Sequence, residues 1–238
     1  MFSKSFICVT FVVAALSPSI ASAQTAEFSF KGGTASGRVF LSYAANPNVG
    51  TLPGTAPNPV DPVDSFIITG LNGTFSDSAL GITDAVITGL APLNRVSPEP
   101  TNLLAPNSFS LLPVSNGVAS PGGVSPGLHF DNLFYPGGSP QTASDYPFAG
   151  GVFDIYGIVF CIGGGNFVNL WSNGTVPGAG LNYGVAVTNQ VDVTDYVNGV
   201  AVSTVPESTT WAMMILGMGT IGFAMRRKQR VQTNVSFT

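Results

Sequence analysis

Histidine is almost missing from this chain: His129 is the only one among 238 residues. Any Ser-His-Asp or Cys-His catalytic arrangement must therefore run through that one ring, which sits between Leu128 and Phe130 in a strand-like segment. A satisfied, partly buried histidine is the better reading. Cysteine is as scarce, with Cys8 and Cys161 the whole supply. Cys8 falls in a segment read below as removable, which leaves one thiol and excludes an intramolecular disulfide in the remainder. Cys161, on the apolar face of a predicted strand, reads as a small core residue and not as a nucleophile. Charge is low too, at 8% of residues. Between Gln24 and Thr204 only Lys31, Arg38 and Arg95 are basic, against eleven acids, a formal charge of −8. Nucleic acid and anionic membrane surfaces need clustered cations, so the body is a poor match for either. Cations are its natural counterpart.

Lys, Glu, Gln and Arg, which fill exposed helix faces, are rare in these 181 residues, so helices are hard to build there. The composition favours strands and turns instead, with 29 Gly and 18 Pro in the chain. Leu181, Tyr183, Val185 and Val187 alternate with Asn182, Gly184, Ala186 and Thr188, the period-2 pattern of a half-buried strand. The run from Val152 to Ile162 reads as a core strand, with Phe153, Ile155, Val159 and Cys161 on one face. Asn72-Gly73, Asn116-Gly117, Asn173-Gly174 and Asn198-Gly199 read as tight turns, since both residue types accept the positive φ of a type I′ hairpin. Ile68-Thr69-Gly70-Leu71 and Ile87-Thr88-Gly89-Leu90 echo each other and read as two equivalent strands. Pro-rich stretches, 46–62 and 91–106, read as surface loops. The expected fold is all-β, an antiparallel β-sandwich of roughly eight to ten strands with a jelly roll as one version. One domain, 24–204, holds it.

Candidate ligand groups are few. Asp61 and Asp64, Asp131 with Asn132, and Asp192 and Asp195 each put two oxygen-bearing side chains close in sequence, as Ca2+ requires, but none forms an EF-hand or a Gly-Asp repeat. Solvated loop acids are the plainer reading, and no cofactor is expected beyond that Ca2+ candidate. Gly163-Gly164-Gly165 precedes neither a helix nor a lysine, so it is a turn and not a phosphate cradle. Trp171, near Asn173-Gly174, is a candidate sugar contact, although core packing is the commoner use of such a ring.

The two ends read as addresses. Lys4, the apolar run Phe6 to Leu16 and Ala21-Ser22-Ala23 make a signal peptide over 1–23, cleaved before Gln24. Sec machinery and signal peptidase are the partners this implies. Near the other end, Trp211 to Met225 carries no charge and runs into Arg226, Arg227 and Lys228. Those fifteen residues give a helix of about 22 Å, short of a hydrocarbon core of about 30 Å, so a transmembrane helix over 211–225 is a marginal anchor. The positive-inside rule puts the body outside the cytoplasm.

Pro206-Glu207, a short spacer, Trp211-Ala212, a short Gly-bearing apolar helix and the Arg-rich end resemble the PEP-CTERM sorting signal of Gram-negative bacteria, in its Trp-Ala subtype. The resemblance covers about 205–230. It departs from the family at Ser208, where a second proline is usual, and in the tail 231–238 beyond the basic cluster. It implies processing by an exosortase in bacteria that make exopolysaccharide. The body is also similar to the Gly/Thr-rich passengers found upstream of such signals. The expected protein is an exported, transiently anchored surface or extracellular-matrix protein, non-enzymatic, released into the exopolysaccharide layer. A carbohydrate-binding module and a secreted hydrolase are the alternatives.

Overall fold

A computed structural model describes residues 24–49, 61–93, 110–112, 128–140, 149–176, 178, 180–189, 191–205 and 208–229. Ala21 and Ala23, read as the signal cleavage site, the Pro206-Glu207 pair, Asn116-Gly117, Arg95 and the tail 231–238 lie outside the described residues, as do most of both Pro-rich stretches. The elements run β1 (Gln24–Gly32), β2 (Ala35–Ala45), β3 (Phe66–Asp77), β4 (Ile82–Ile87), β5 (Gly89–Leu90), β6 (Ser110–Leu112), β7 (Leu128–Phe130), β8 (Leu133–Phe134), β9 (Ile158–Cys161), β10 (Phe167–Val176), β11 (Gly180–Thr188), β12 (Val193–Val205) and α1 (Ser208–Gln229).

The body is all-β, as composition requires. One antiparallel sheet runs β4-β3-β2-β1-β12-β11-β10-β9-β5, with β8 on β3. It is nearly closed, because β4 and β5 are separated only by Thr88. The stretch from Ile82 to Ala91 pairs first with β3 and then crosses to β9: Thr88 N donates to Cys161 O at 2.8 Å and Ala91 N to Val159 O at 2.8 Å. The echoed segments Ile68–Leu71 and Ile87–Leu90 thus lie on β3 and on the β4–β5 stretch that joins the two flanks.

The inner face holds an aromatic core. Phe28 and Phe30 of β1, Tyr43 of β2, Phe75 of β3 and Phe134 of β8 meet Phe153, Phe160 and Tyr183 from the other flank. Edge-on ring contacts join the two sides, Phe28–Phe153 at 5.2 Å and Phe75–Phe160 at 6.3 Å between centroids. A second, smaller cluster lies on the outer face, where Leu112 and the β7 residues Leu128 and Phe130 cover Val159, Trp171 and Ala186. This cover corrects the expectation of a half-buried β11. Tyr183, Val185 and Val187 enter the inner core as read, but Ala186 and Thr188 on the opposite face are buried as well, and Leu181 at the strand's start is exposed.

Two further expectations need correction. The run Val152 to Ile162 is a strand only over Ile158–Cys161. Gly157 breaks the phase with φ +65°, and Val159 turns outward while Ile158 and Phe160 point in. The Asn-Gly pairs that are described are not chain reversals. Asn72-Gly73 lies within β3, where the β2–β3 register runs unbroken. Asn173-Gly174 and Asn198-Gly199 fall at register shifts within β10 and β12, with Gly174 at φ +68° and Gly199 at φ +71°. The positive φ that suits a type I′ turn suits a β-bulge equally, and these strands use it for the bulge. Gly163-Gly164-Gly165 is a turn, as read, all three at positive φ and closed by Asn166 N donating to Gly163 O at 3.0 Å.

Helix α1 contains the predicted apolar run and extends it at both ends. Ile215, Leu216, Met218, Ile221, Phe223 and Met225 are all more than 60% exposed, so these side chains lie outside the core. Among the described residues no helix is long and apolar enough to cross a membrane.

Candidate functional site

Buried acids gather where the two flanks of the sheet meet. Segment 131–135 and segment 152–157 run alongside one another, stitched by Asp131 N and Asn132 N donating to Gly157 O (3.3 and 3.0 Å) and Tyr135 N donating to Val152 O (2.9 Å). Gly157 is required there: a Cβ on it would lie 2.0 Å from Leu170 O. Asn132, in the left-handed region at φ 55°, clips the closing strand to β9. Its Nδ2 donates to Ala91 O at 2.9 Å and its Oδ1 accepts from Val159 N at 3.0 Å.

Asp131 and Asp154 face each other within this seam, both buried. Asp154 is well supplied with donors. Its Oδ1 accepts from Tyr156 N (2.9 Å) and Gly157 N (3.1 Å), and its Oδ2 accepts from the Tyr135 hydroxyl at 3.0 Å. Asp131 has one backbone donor, Leu133 N to Oδ1 at 3.1 Å, while its Oδ2 receives no N–H or O–H. Burial, and then the Asp154 charge, hold the Asp131 carboxyl well above the usual carboxylate range. Burial also raises Asp154, against the hydrogen bonds it accepts. Asp61 adds a third acid; it is buried, and Asn46 Nδ2 donates to its Oδ2 at 2.8 Å. Desolvation and these acids together push the Tyr135 hydroxyl well above its ordinary value.

The pairs read from sequence as Ca2+ candidates are parted by the fold. Asp61 is buried while Asp64 is exposed, and Asn132 serves as the seam clip. Asp195 turns towards the turn after β1, where the Thr34 hydroxyl donates to its Oδ2 at 2.6 Å. There it meets Asp77, whose carboxyl is raised by burial and by its contact with Asp195. Burial pushes Asp195 up, but the Thr34 hydrogen bond and its neighbours outweigh that and leave it lowered. Asp192 lies at the β11–β12 turn, where Asn189 Oδ1 accepts from its backbone N at 2.9 Å. Among the described residues no three His, Cys, Asp or Glu side chains come together in a group that would hold a metal ion. Asp154, missed as a candidate, had one signal: a lone acid inside the apolar run Val152 to Tyr156.

Trp171 is buried, at 2% exposure, in keeping with core packing and leaving little of its ring open to a sugar. Its ring covers Gly184, its partner on β11, where a Cβ would lie 2.2 Å from the indole. Tyr196 stacks on the other side, centroids 5.6 Å apart and planes 28° apart, and is 37% exposed. The indole N–H donates to Asn173 Oδ1 at 3.2 Å, and Asn173 Nδ2 donates to Asn182 Oδ1 at 2.8 Å. An exposed ring with two half-buried amides nearby is therefore present, but the ring is Tyr196.

His129 is buried on β7, and burial lowers it to about 4, so it is neutral at neutral pH. Cys161 is half-buried, and burial raises its thiol, which disfavours a nucleophilic thiolate. Of the residues read as a sorting signal, Trp211, Ala212, Arg226, Arg227 and Lys228 lie on α1. In comparison with known families, characterised proteins and solved structures, no family model, no protein and no solved fold matches this chain.

Proposed function

We propose that this is an exported surface protein with a non-enzymatic structural or interaction role in an exopolysaccharide layer, sorted through its tail by an exosortase-type enzyme. One observation carries the reading: α1 leaves seven large apolar side chains exposed next to a basic end, directly after the last strand of the sheet. A surface of that kind calls for lipid or a partner. The 22 residues of α1 extend about 33 Å, the thickness of a hydrocarbon core, although only the middle fifteen are free of charge and strongly apolar. Such a helix holds a protein in the bilayer marginally, which suits a tail that is held and then removed. On this reading the body is a flattened, sandwich-like closure in which β1–β4 face β9–β12 across one aromatic core.

The test compares cells with and without an exosortase. With it, immunoblots of culture fractions should reveal a released form lacking Trp211 to Thr238; without it, the longer species should stay in the inner membrane. Glu207→Ala should block release and Ser208→Pro should raise it. Full-length membrane protein in both strains would leave a simple anchor and end the sorting reading.

A second reading, sugar binding, is favoured by the Tyr196–Trp171 stack and the amides of Asn173 and Asn182. Tyr196→Ala should then abolish retention on exopolysaccharide while secretion is unchanged. Retention equal to wild type would remove this reading.

A further inference from the structure

The seam that joins the two flanks of the sheet holds two buried carboxyl groups in side-chain contact and, among the described residues, no base to neutralise them. Among the described residues the bases outside α1 are Lys31 and Arg38. Lys31 is exposed on β1, and Arg38 is engaged by Glu27 at 2.6 Å. Two ionised carboxylates in contact without water or a cation repel strongly, so such a pair persists only with a counter-charge or a shared proton.

The donors decide where the proton sits. Asp154 accepts three hydrogen bonds, from Tyr156 N, Gly157 N and the Tyr135 hydroxyl, the environment of a carboxylate. Asp131 accepts one, and its Oδ2 has no donor. An oxygen that lacks a donor, on a carboxyl in contact with a carboxylate, is satisfied when it carries the hydrogen itself.

We infer that Asp131 is a neutral carboxylic acid that donates to ionised Asp154, so that one proton fastens segment 131–135 to segment 152–157 and the sheet closure loosens when that proton is lost. The titratable groups facing Asp131 are Asp154, Asp61 and Tyr135, and His129 lies two residues before it on β7. None of them supplies a positive charge at neutral pH, since His129 is neutral there. The folded state therefore holds a proton that the unfolded chain releases near 3.8. For a group raised in this way, stability is fully present below the unfolded value and is lost as pH rises through the folded one.

The experiment is thermal unfolding of the full chain, wild type and Asp131→Asn, from about pH 4 to about pH 8, below the range in which free thiols and phenols titrate. The amide of Asn keeps a donor in place at every pH. The difference between the two proteins should thus grow with pH, with wild type losing several degrees relative to the variant at the upper end. Infrared spectra of wild type at neutral pH should carry a protonated-carboxyl carbonyl band that Asp131→Asn lacks. The band on wild type alone decides the matter if the variant does not fold. Its absence, or parallel pH profiles for the two proteins, would overturn the inference. A rise in wild-type Tm with added Ca2+ that Asp131→Asn loses would overturn it in favour of a bound cation.

Discussion

At the residue scale the fold depends on places where a side chain would not fit. Gly157 combines φ +65° with a Leu170 carbonyl that would lie 2.0 Å from any Cβ, so both backbone strain and collision oppose a substitution. Its own carbonyl meanwhile accepts from Asp131 N and Asn132 N. Gly157→Ala should cost about 3 kcal/mol or more, measured by denaturant unfolding, because neither the β10 backbone nor the seam can yield without giving up hydrogen bonds. A loss below about 1 kcal/mol would mean that the close approach relaxes freely. Gly37 and Gly184 serve differently: each lies under a partner ring across the ladder, Phe30 and Trp171, so these glycines are space for aromatics.

At the scale of elements, what sequence could and could not convey follows from the range of each interaction. Alternation is local, and it located β11, whose inward face is Tyr183, Val185 and Val187 as read. Low charge and abundant turn formers conveyed the all-β class for the same reason. The outer cover of β6 and β7 is a long-range fact. Nothing in Gly184-Val185-Ala186-Val187-Thr188 announces that Ala186 lies beneath a second layer, and so β11 passed for a half-buried strand. The Asn-Gly signal reports a local willingness to adopt positive φ, and whether that becomes a hairpin or a bulge depends on the strand alongside. The acid seam was illegible for a similar reason. Asp61, Asp131 and Asp154 are far apart in the chain, and sequence neighbours such as Asp61 and Asp64 diverge because Asp64 takes φ 64° in a turn.

The molecule as a whole carries two opposed responses to acid. His129, lowered to about 4 from 6.5 by burial, holds fewer protons when folded than when unfolded. Its contribution is present above the unfolded value and is lost as pH falls from about 6.5 to about 4. The seam proton acts in the other sense, favouring the fold at lower pH. In wild type the two effects therefore oppose each other between these limits, and His129→Gln, which cannot charge, should become more stable on acidification. A wild type and a His129→Gln variant with the same acid limb would show that the imidazole is not desolvated in solution.

The pairing of Glu27 with Val205 places both ends of the folded body at one rim, with β12 between β1 and β11. Force applied between Gln24 and Val205 would separate β1 from β12 one hydrogen-bonded pair at a time, the compliant direction for an antiparallel ladder whose bonds lie across the strands. Force applied through α1 against a load gripped at the far rim, beyond the Gly33-Thr34 turn, runs along β12 and strains both its ladders together. The same sheet is thus soft when its two ends are pulled apart and stiff when it hangs by its helix, a mechanical polarity set by which strand lies in the middle.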